Sequence, residues 1–135
     1  MTRAARIGWG LTIVYWAGLF VVTHLPLPRL PYVPVTDKTA HVVAYALLSV
    51  ALMMSLHRGG KMNPAVTVLT MLLIYGAIDE WTQIPVGRSC ELADWYADAA
   101  GAAVGVVVVS WFYGSASKRA SKMAASIETR MENRG

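Results

Sequence analysis

The sequence predicts an all-α membrane protein, a compact bundle of four transmembrane helices. Three observations carry that expectation. Of 135 residues, 56% are hydrophobic and only 15% are charged, with a mean hydropathy of +0.45, too apolar for a soluble domain of this length. The apolar residues fall in four runs, each close to the roughly 20 residues a helix needs to cross a bilayer core. Proline, glycine and charged residues collect between the runs. The net charge of +4 is spread over these connections and the last quarter of the chain, as topology signals are, and no nucleic-acid motif accompanies it. Cys90 is the single cysteine, which excludes an intramolecular disulfide and predicts a free thiol.

The first span runs over residues 7–24. Arg3 and Arg6 ahead of an apolar run resemble the start of a secretory signal, but the 17 residues from Ile7 to Thr23 contain no A-x-A cleavage pattern and outlast a usual signal core. The run is read as an uncleaved span. Pro26, Pro28, Pro31 and Pro34 then remove backbone donors and forbid helix, predicting a stiff loop. Thr36 or Asp37 is suited to cap the second span, which passes through His41, Tyr45, Leu48 and Leu52 to about residue 56 and stops at Gly59-Gly60. Asn63 followed by Pro64 is a cap with proline at the first helical position, opening a third span that reaches Gln83 and closes at Pro85 and Gly87. The fourth span covers residues 92–113, with Trp95, Trp111 and Tyr113 at belt positions. Residues 1–113 therefore form one four-helix domain. Residues 114–135 read as a basic solvated tail, with a short surface helix on anionic lipid as the alternative.

Orientation follows from the cations. Nine lie on one side (Arg3, Arg6, Arg58, Lys61, Lys118, Arg119, Lys122, Arg130 and Arg134) and three on the other (Arg29, Lys38 and Arg88). The positive-inside rule puts both termini in the cytoplasm, in a multi-pass protein of the cytoplasmic (inner) membrane.

Ionisable groups inside spans are costly, about 2.5–3.5 kcal/mol each at the helix centre, so each needs a partner or a purpose. This chain has several. Asp37, Lys38 and His41 open the second span, Asp79, Glu80 and Gln83 close the third, and Asp94 and Asp98 open the fourth. His41 lies roughly 6 Å below Asp37, Asp79 the same depth below Gln83, and Asp98 below Asp94, from the rise of about 1.5 Å per residue. All three spans thus bring polar groups to one outer layer. The i, i+4 sets Asp37, His41, Tyr45, then Tyr75, Asp79, Gln83, then Asp94, Asp98 each line one helix face, which predicts a polar pocket inside the bundle.

This ordered set, Asp37-Lys38-x-x-His41-x-x-x-Tyr45, Asp79-Glu80-x-x-Gln83 with Gly87-Arg88, and Asp94 with Gly101 and Gly105 downstream, resembles the VanZ-like family of bacterial membrane proteins over residues 7–113. Founding members of that family are associated with resistance to teicoplanin. The resemblance implies a cell-envelope role near glycopeptide action, and it supplies no reaction to carry over. The chain departs from the family where Asp-x-x-x-Asn is common on span four; here the step is Asp94-x-x-x-Asp98, which adds a carboxylate.

From the residues, His41, Asp79 and Glu80 are the candidate catalytic groups, His41 as a general base near neutrality. Asp37, Lys38, Tyr45, Gln83, Arg88, Asp94 and Asp98 are candidate ligand-binding groups, with Arg88 offering a fork to an anion. Six acidic side chains (these four aspartates with Glu80 and Glu91) face two cations, Lys38 and Arg88. That excess leaves two readings open, a divalent cation held among Asp79, Glu80, Asp94 and Asp98, or a structural network of ion pairs and protonated acids. His41 bonded to Asp79 or Tyr45 simply to pack helices is the bland alternative. Ser89 and Cys90 lack an adjacent activating base, Gly101-x-x-x-Gly105 reads as a helix-packing motif, and Trp81 and Trp95 read as interfacial anchors. The expected partner is a membrane lipid or lipid-linked envelope molecule, either chemically altered or only bound. The sequence sets no oligomeric state. A proton-coupled carrier fits less well, because the spans show no repeat and their inner halves are apolar.

Overall fold

The structure, a computed structural model, describes residues 2–25, 37–56, 63–88 and 90–132. The proline-rich loop, Thr36, the Gly59-Gly60 stop and Ser89 lie outside the described residues, as do Arg29, Arg58, Lys61 and Arg134. Among the described residues the chain forms four helices and no strand: α1 Arg3–Thr23, α2 Asp37–Leu56, α3 Pro64–Gln83 and α4 Leu92–Glu132, with a single 3-10 turn at Ile84–Val86. All four are long and apolar enough to cross a membrane. The chain is a multi-pass membrane protein by that measure.

Local chemistry accounts for the helix ends. The Thr2 side chain accepts from the Ala5 N–H at 3.2 Å to start α1, and Asn63 Oδ1 accepts from the Ala65 N–H at 3.0 Å to start α3, with Pro64 at its first position. Gly87, at φ +80°, ends the 3-10 turn in the left-handed region that glycine enters without strain. That reversal turns Arg88 back toward the bundle.

The core pairs α2 with α4. On α2, His41, Tyr45, Leu48, Ser49, Leu52 and Met53 are buried, a helical stripe. It meets the α4 stripe of Asp98, Gly101, Ala102, Gly105, Val106 and Val109. A β-carbon added to Gly101 would overlap the Val42 carbonyl oxygen, and one added to Gly105 would lie 2.5 Å from that of Ala46. Only glycine lets the two backbones approach this closely, and the Ser49 hydroxyl seals the seam by donating to the Ala102 carbonyl at 2.9 Å. The third helix packs on both partners, and Trp95 of α4 donates its indole N–H to the Leu73 carbonyl of α3 at 3.0 Å. Trp95 is therefore a tie between helices, whereas Trp81 is 72% exposed, as an interfacial anchor would be.

The first helix is peripheral. It touches α2 and α3 but not α4. Thr12 and Tyr15 hold it to α2, Tyr15 donating to the Ala44 carbonyl at 3.0 Å and the Thr12 hydroxyl lying 3.1 Å from that of Ser55. Its outer face exposes Leu11 and Val14, apolar surface that lipid would cover.

One boundary differs from the sequence-based expectation. The helix expected to end at Tyr113 continues without a break to Glu132. Residues 115–126 are dominated by Ala, Ser, Lys and Arg with no proline, so only Gly114 opposes the helix, at a cost of about 1 kcal/mol. At 41 residues α4 is roughly 60 Å long, about twice the bilayer core, and its side chains over residues 116–126 are exposed.

Candidate functional site

The polar residues expected at one end of the bundle do meet there, in two neighbouring groups. The first surrounds His41 of α2. Its Nδ1 lies 2.8 Å from Asp98 Oδ1 of α4, with both side chains nearly inaccessible. The partner is thus the span-four carboxylate, whereas the sequence pattern points to Asp37 or a span-three carboxylate, or to Asp79 or Tyr45 in a purely packing role. Glu80 of α3 completes the group: ligand-competent atoms of His41, Glu80 and Asp98 all lie within 4.8 Å of one another. Above it, Asp37, His41 and Asp94 form a second triplet of the same compactness. Lys38 donates to Asp94 Oδ1 at 3.0 Å and to Glu91 Oε2 at 3.4 Å, and Glu80 Oε2 accepts from the Glu91 N–H at 3.0 Å.

The second group centres on Asp79, which is fully buried. Its Oδ1 accepts from the Thr23 hydroxyl at 3.1 Å and from Tyr75 at 3.4 Å, and its Oδ2 accepts from Gln83 Nε2 at 3.0 Å. His24 stands 3.8 Å away and braces α1 on α3 through Thr82, 2.9 Å from its Nε2. His24 Nδ1 faces the Phe20 carbonyl at 2.8 Å, so that nitrogen carries a proton. Tyr75 stacks on Tyr45 at 5.9 Å between centroids, which joins the two groups.

Between α1 and α2 opens a cleft of about 170 Å³. Leu19, Val22, Ala40 and Ala44 make an apolar wall, and Thr23, Asp37, His41, Tyr45 and Arg88 a polar end. Arg88, 9% exposed at its side chain, lies 3.5 Å from Asp37 Oδ1. No family model, curated protein or solved structure matches this chain.

Of the three candidate catalytic residues, only His41 lines the cleft. Glu80 sits with His41 and Asp98. Asp79 belongs to neither carboxylate–histidine triplet, and its hydrogen bonds tie α1 to α3. Among the candidate binding residues, Asp37, Tyr45 and Arg88 line the cleft, Gln83 supports Asp79, and Lys38 neutralises Asp94. The contribution of α1 to this polar layer is not marked by the sequence spacing. Thr23 and His24, the polar pair ending an apolar span at the same end as the acidic layer, were the available signal.

Three buried polar atoms in this layer complete no hydrogen bond: Tyr45 Oη, Glu80 Oε1 and Asp98 Oδ2. Orphans are rare in native interiors because each costs about 1–3 kcal/mol.

Proposed function

We propose that this chain is a VanZ-like protein of the cytoplasmic membrane that binds the polar group of an amphiphilic envelope molecule in the cleft between α1 and α2. The single observation that carries this reading is the composition of that cleft, an apolar wall leading to Thr23, Asp37, His41, Tyr45 and Arg88. A head group would contact the polar end while its acyl or prenyl chain follows Leu19 and Val22 into lipid.

Size narrows the ligand. About 170 Å³ is close to an engineered cavity of roughly 150 Å³ that holds benzene, and below the roughly 300–1,000 Å³ of pockets for drug-sized ligands. One phosphate-bearing head group or one ring fits; a whole glycopeptide does not. A contribution to teicoplanin tolerance would then run through an envelope lipid, or through one appended group of the antibiotic. Arg88 is suited to an anionic group, at the expense of its pairing with Asp37. Placement outside the cytoplasm is supported by α4: Asp98 and Lys118 are 20 residues apart, about 30 Å along the helix, so acidic and basic ends fall on opposite sides of a bilayer.

The test is the melting temperature of purified protein in EDTA with short-chain phosphatidylethanolamine, a short isoprenyl phosphate, or teicoplanin. A ligand at 100 times its Kd stabilises by about 2.7 kcal/mol. A rise with a phosphate-bearing amphiphile that is lost in Arg88→Gln is expected. No rise with any of the three, or one undiminished in Arg88→Gln, defeats the reading.

A catalytic version has one observation in its favour. His41 lines the cleft with Nδ1 held by Asp98, as an oriented general base is held. Mass spectrometry of the bound amphiphile would then reveal a product that His41→Gln does not form; an unchanged amphiphile leaves a binding protein.

A further inference from the structure

We infer that His41, Glu80 and Asp98 form a binding site for a divalent transition-metal ion, Zn²⁺ or Mn²⁺, in the interior of the bundle. The inference shares His41 with the head-group reading, which rests on the cleft, but its observation is different. Glu80 and Asp98 are 4% and 1% exposed, and each carries a carboxylate oxygen, Oε1 and Oδ2, that no described group satisfies. They come from different helices and stand together with an imidazole, all three donors within 4.8 Å of one another.

The described cations of the layer are committed elsewhere. Lys38 pairs with Asp94 and Glu91, and Arg88 with Asp37. Neither pairs with Glu80 or Asp98, so two buried carboxylates face one imidazole. As the bundle is packed, neither Glu80 Oε1 nor Asp98 Oδ2 completes a hydrogen bond with a described group. A dication satisfies both carboxylates in one step.

The donor set selects the ion. Hard cations such as Ca²⁺ and Mg²⁺ favour all-oxygen shells, whereas one imidazole with two carboxylates suits Zn²⁺ or Mn²⁺. Two neighbouring ligands of an ion bound at about 2.1 Å lie roughly 3.0–3.4 Å apart in octahedral or tetrahedral geometry. The 2.8 Å from His41 Nδ1 to Asp98 Oδ1 is a few tenths shorter, the spacing of a shared proton that an ion would displace. Three protein ligands leave at least one position for water.

The experiment uses the full chain in detergent, stripped with EDTA and titrated with ZnCl₂ or MnCl₂ by calorimetry, with no lipid ligand added. Wild type is expected to bind one equivalent, and Glu80→Gln and Asp98→Asn to weaken it at least about tenfold. Asp37→Asn, which leaves Glu80 and Asp98 unchanged, should bind as wild type does. Absence of stoichiometric binding in wild type overturns the inference, and so does a loss in Asp37→Asn equal to that in Glu80→Gln. Should the inner variants fail to fold, the electron spin echo of Mn²⁺ bound to a chain carrying His24→Gln, His57→Gln and Asp37→Asn decides. Modulation from an imidazole nitrogen, which only His41 can then supply, supports the site; its absence overturns it. Because the head-group titration is run in EDTA and this one without lipid, either can fail alone.

Discussion

Adding one methyl group at Gly101 should separate α2 from α4 and, with them, the two halves of the site. In an exposed helix Gly→Ala stabilises by about 1 kcal/mol, because alanine has the better helix propensity. At Gly101 the new carbon would overlap the Val42 carbonyl oxygen and lie 3.0 Å from both its carbonyl and α carbons. Ordinary carbon contacts are about 3.5–4.0 Å, so the helices must part by roughly half an ångström or more, and these neighbours are backbone atoms with no rotamer to yield. Such separation stretches the 2.9 Å bond from Ser49 to Ala102, the next residue along α4, and the 2.8 Å contact of His41 with Asp98, about one turn before Gly101. Overpacking of this kind costs about 1–3 kcal/mol. Gly114→Ala is the matched control, since nothing lies within 4 Å of its added carbon. Unfolding in SDS should therefore show Gly101→Ala about 1–3 kcal/mol less stable than Gly114→Ala, the cost of the clash, because the propensity gain is common to both variants and cancels. Equal stability of the two variants would refute the close seam and the geometry built on it.

Three further outcomes follow from particular contacts. Asp79→Asn should cost about 1–3 kcal/mol of stability, because the buried acceptors of Thr23, Tyr75 and Gln83 are disturbed, while head-group binding persists; a stable variant that no longer binds would make Asp79 part of the cleft chemistry. Ser49→Ala should cost roughly 0.6 kcal/mol, the average for an interhelical hydrogen bond in a membrane, measured by the same SDS titration; a loss above about 2 kcal/mol would mean that Ser49 holds more than the Ala102 carbonyl. Cys90 is exposed at the acidic end, so a membrane-impermeant maleimide should label it in intact spheroplasts; labelling only after lysis would reverse the orientation inferred from the cations.

The four spans were legible because lipid solvation imposes a length and a composition that no folding partner has to supply. So were the ends at Asn63-Pro64 and Gly87, which depend on one or two residues each. The polar layer was legible too: i, i+4 spacing assigns Asp37, His41 and Tyr45 to one face, and helix rise assigns Asp79 and Asp98 to similar depths. Pairing was not. Depth alone leaves His41 free to meet Asp79 or Asp98, and the choice falls to Asp98 because Gly101 and Gly105 draw α4 onto α2 more closely than α3 approaches either. The same packing gave Asp79 to Thr23, beside its own-helix neighbour Gln83, and admitted α1, whose polar end carries no spacing pattern to mark it. The long α4 went unread for a different reason, since solvated basic residues have the same composition in a tail as in an exposed helix. Sequence by itself determined which residues must escape lipid and at what depth, because those are properties of one helix at a time. Which of them share a proton, pair their charges or leave an oxygen unpartnered is set by the distance between helices, and that distance exists only in the packed bundle.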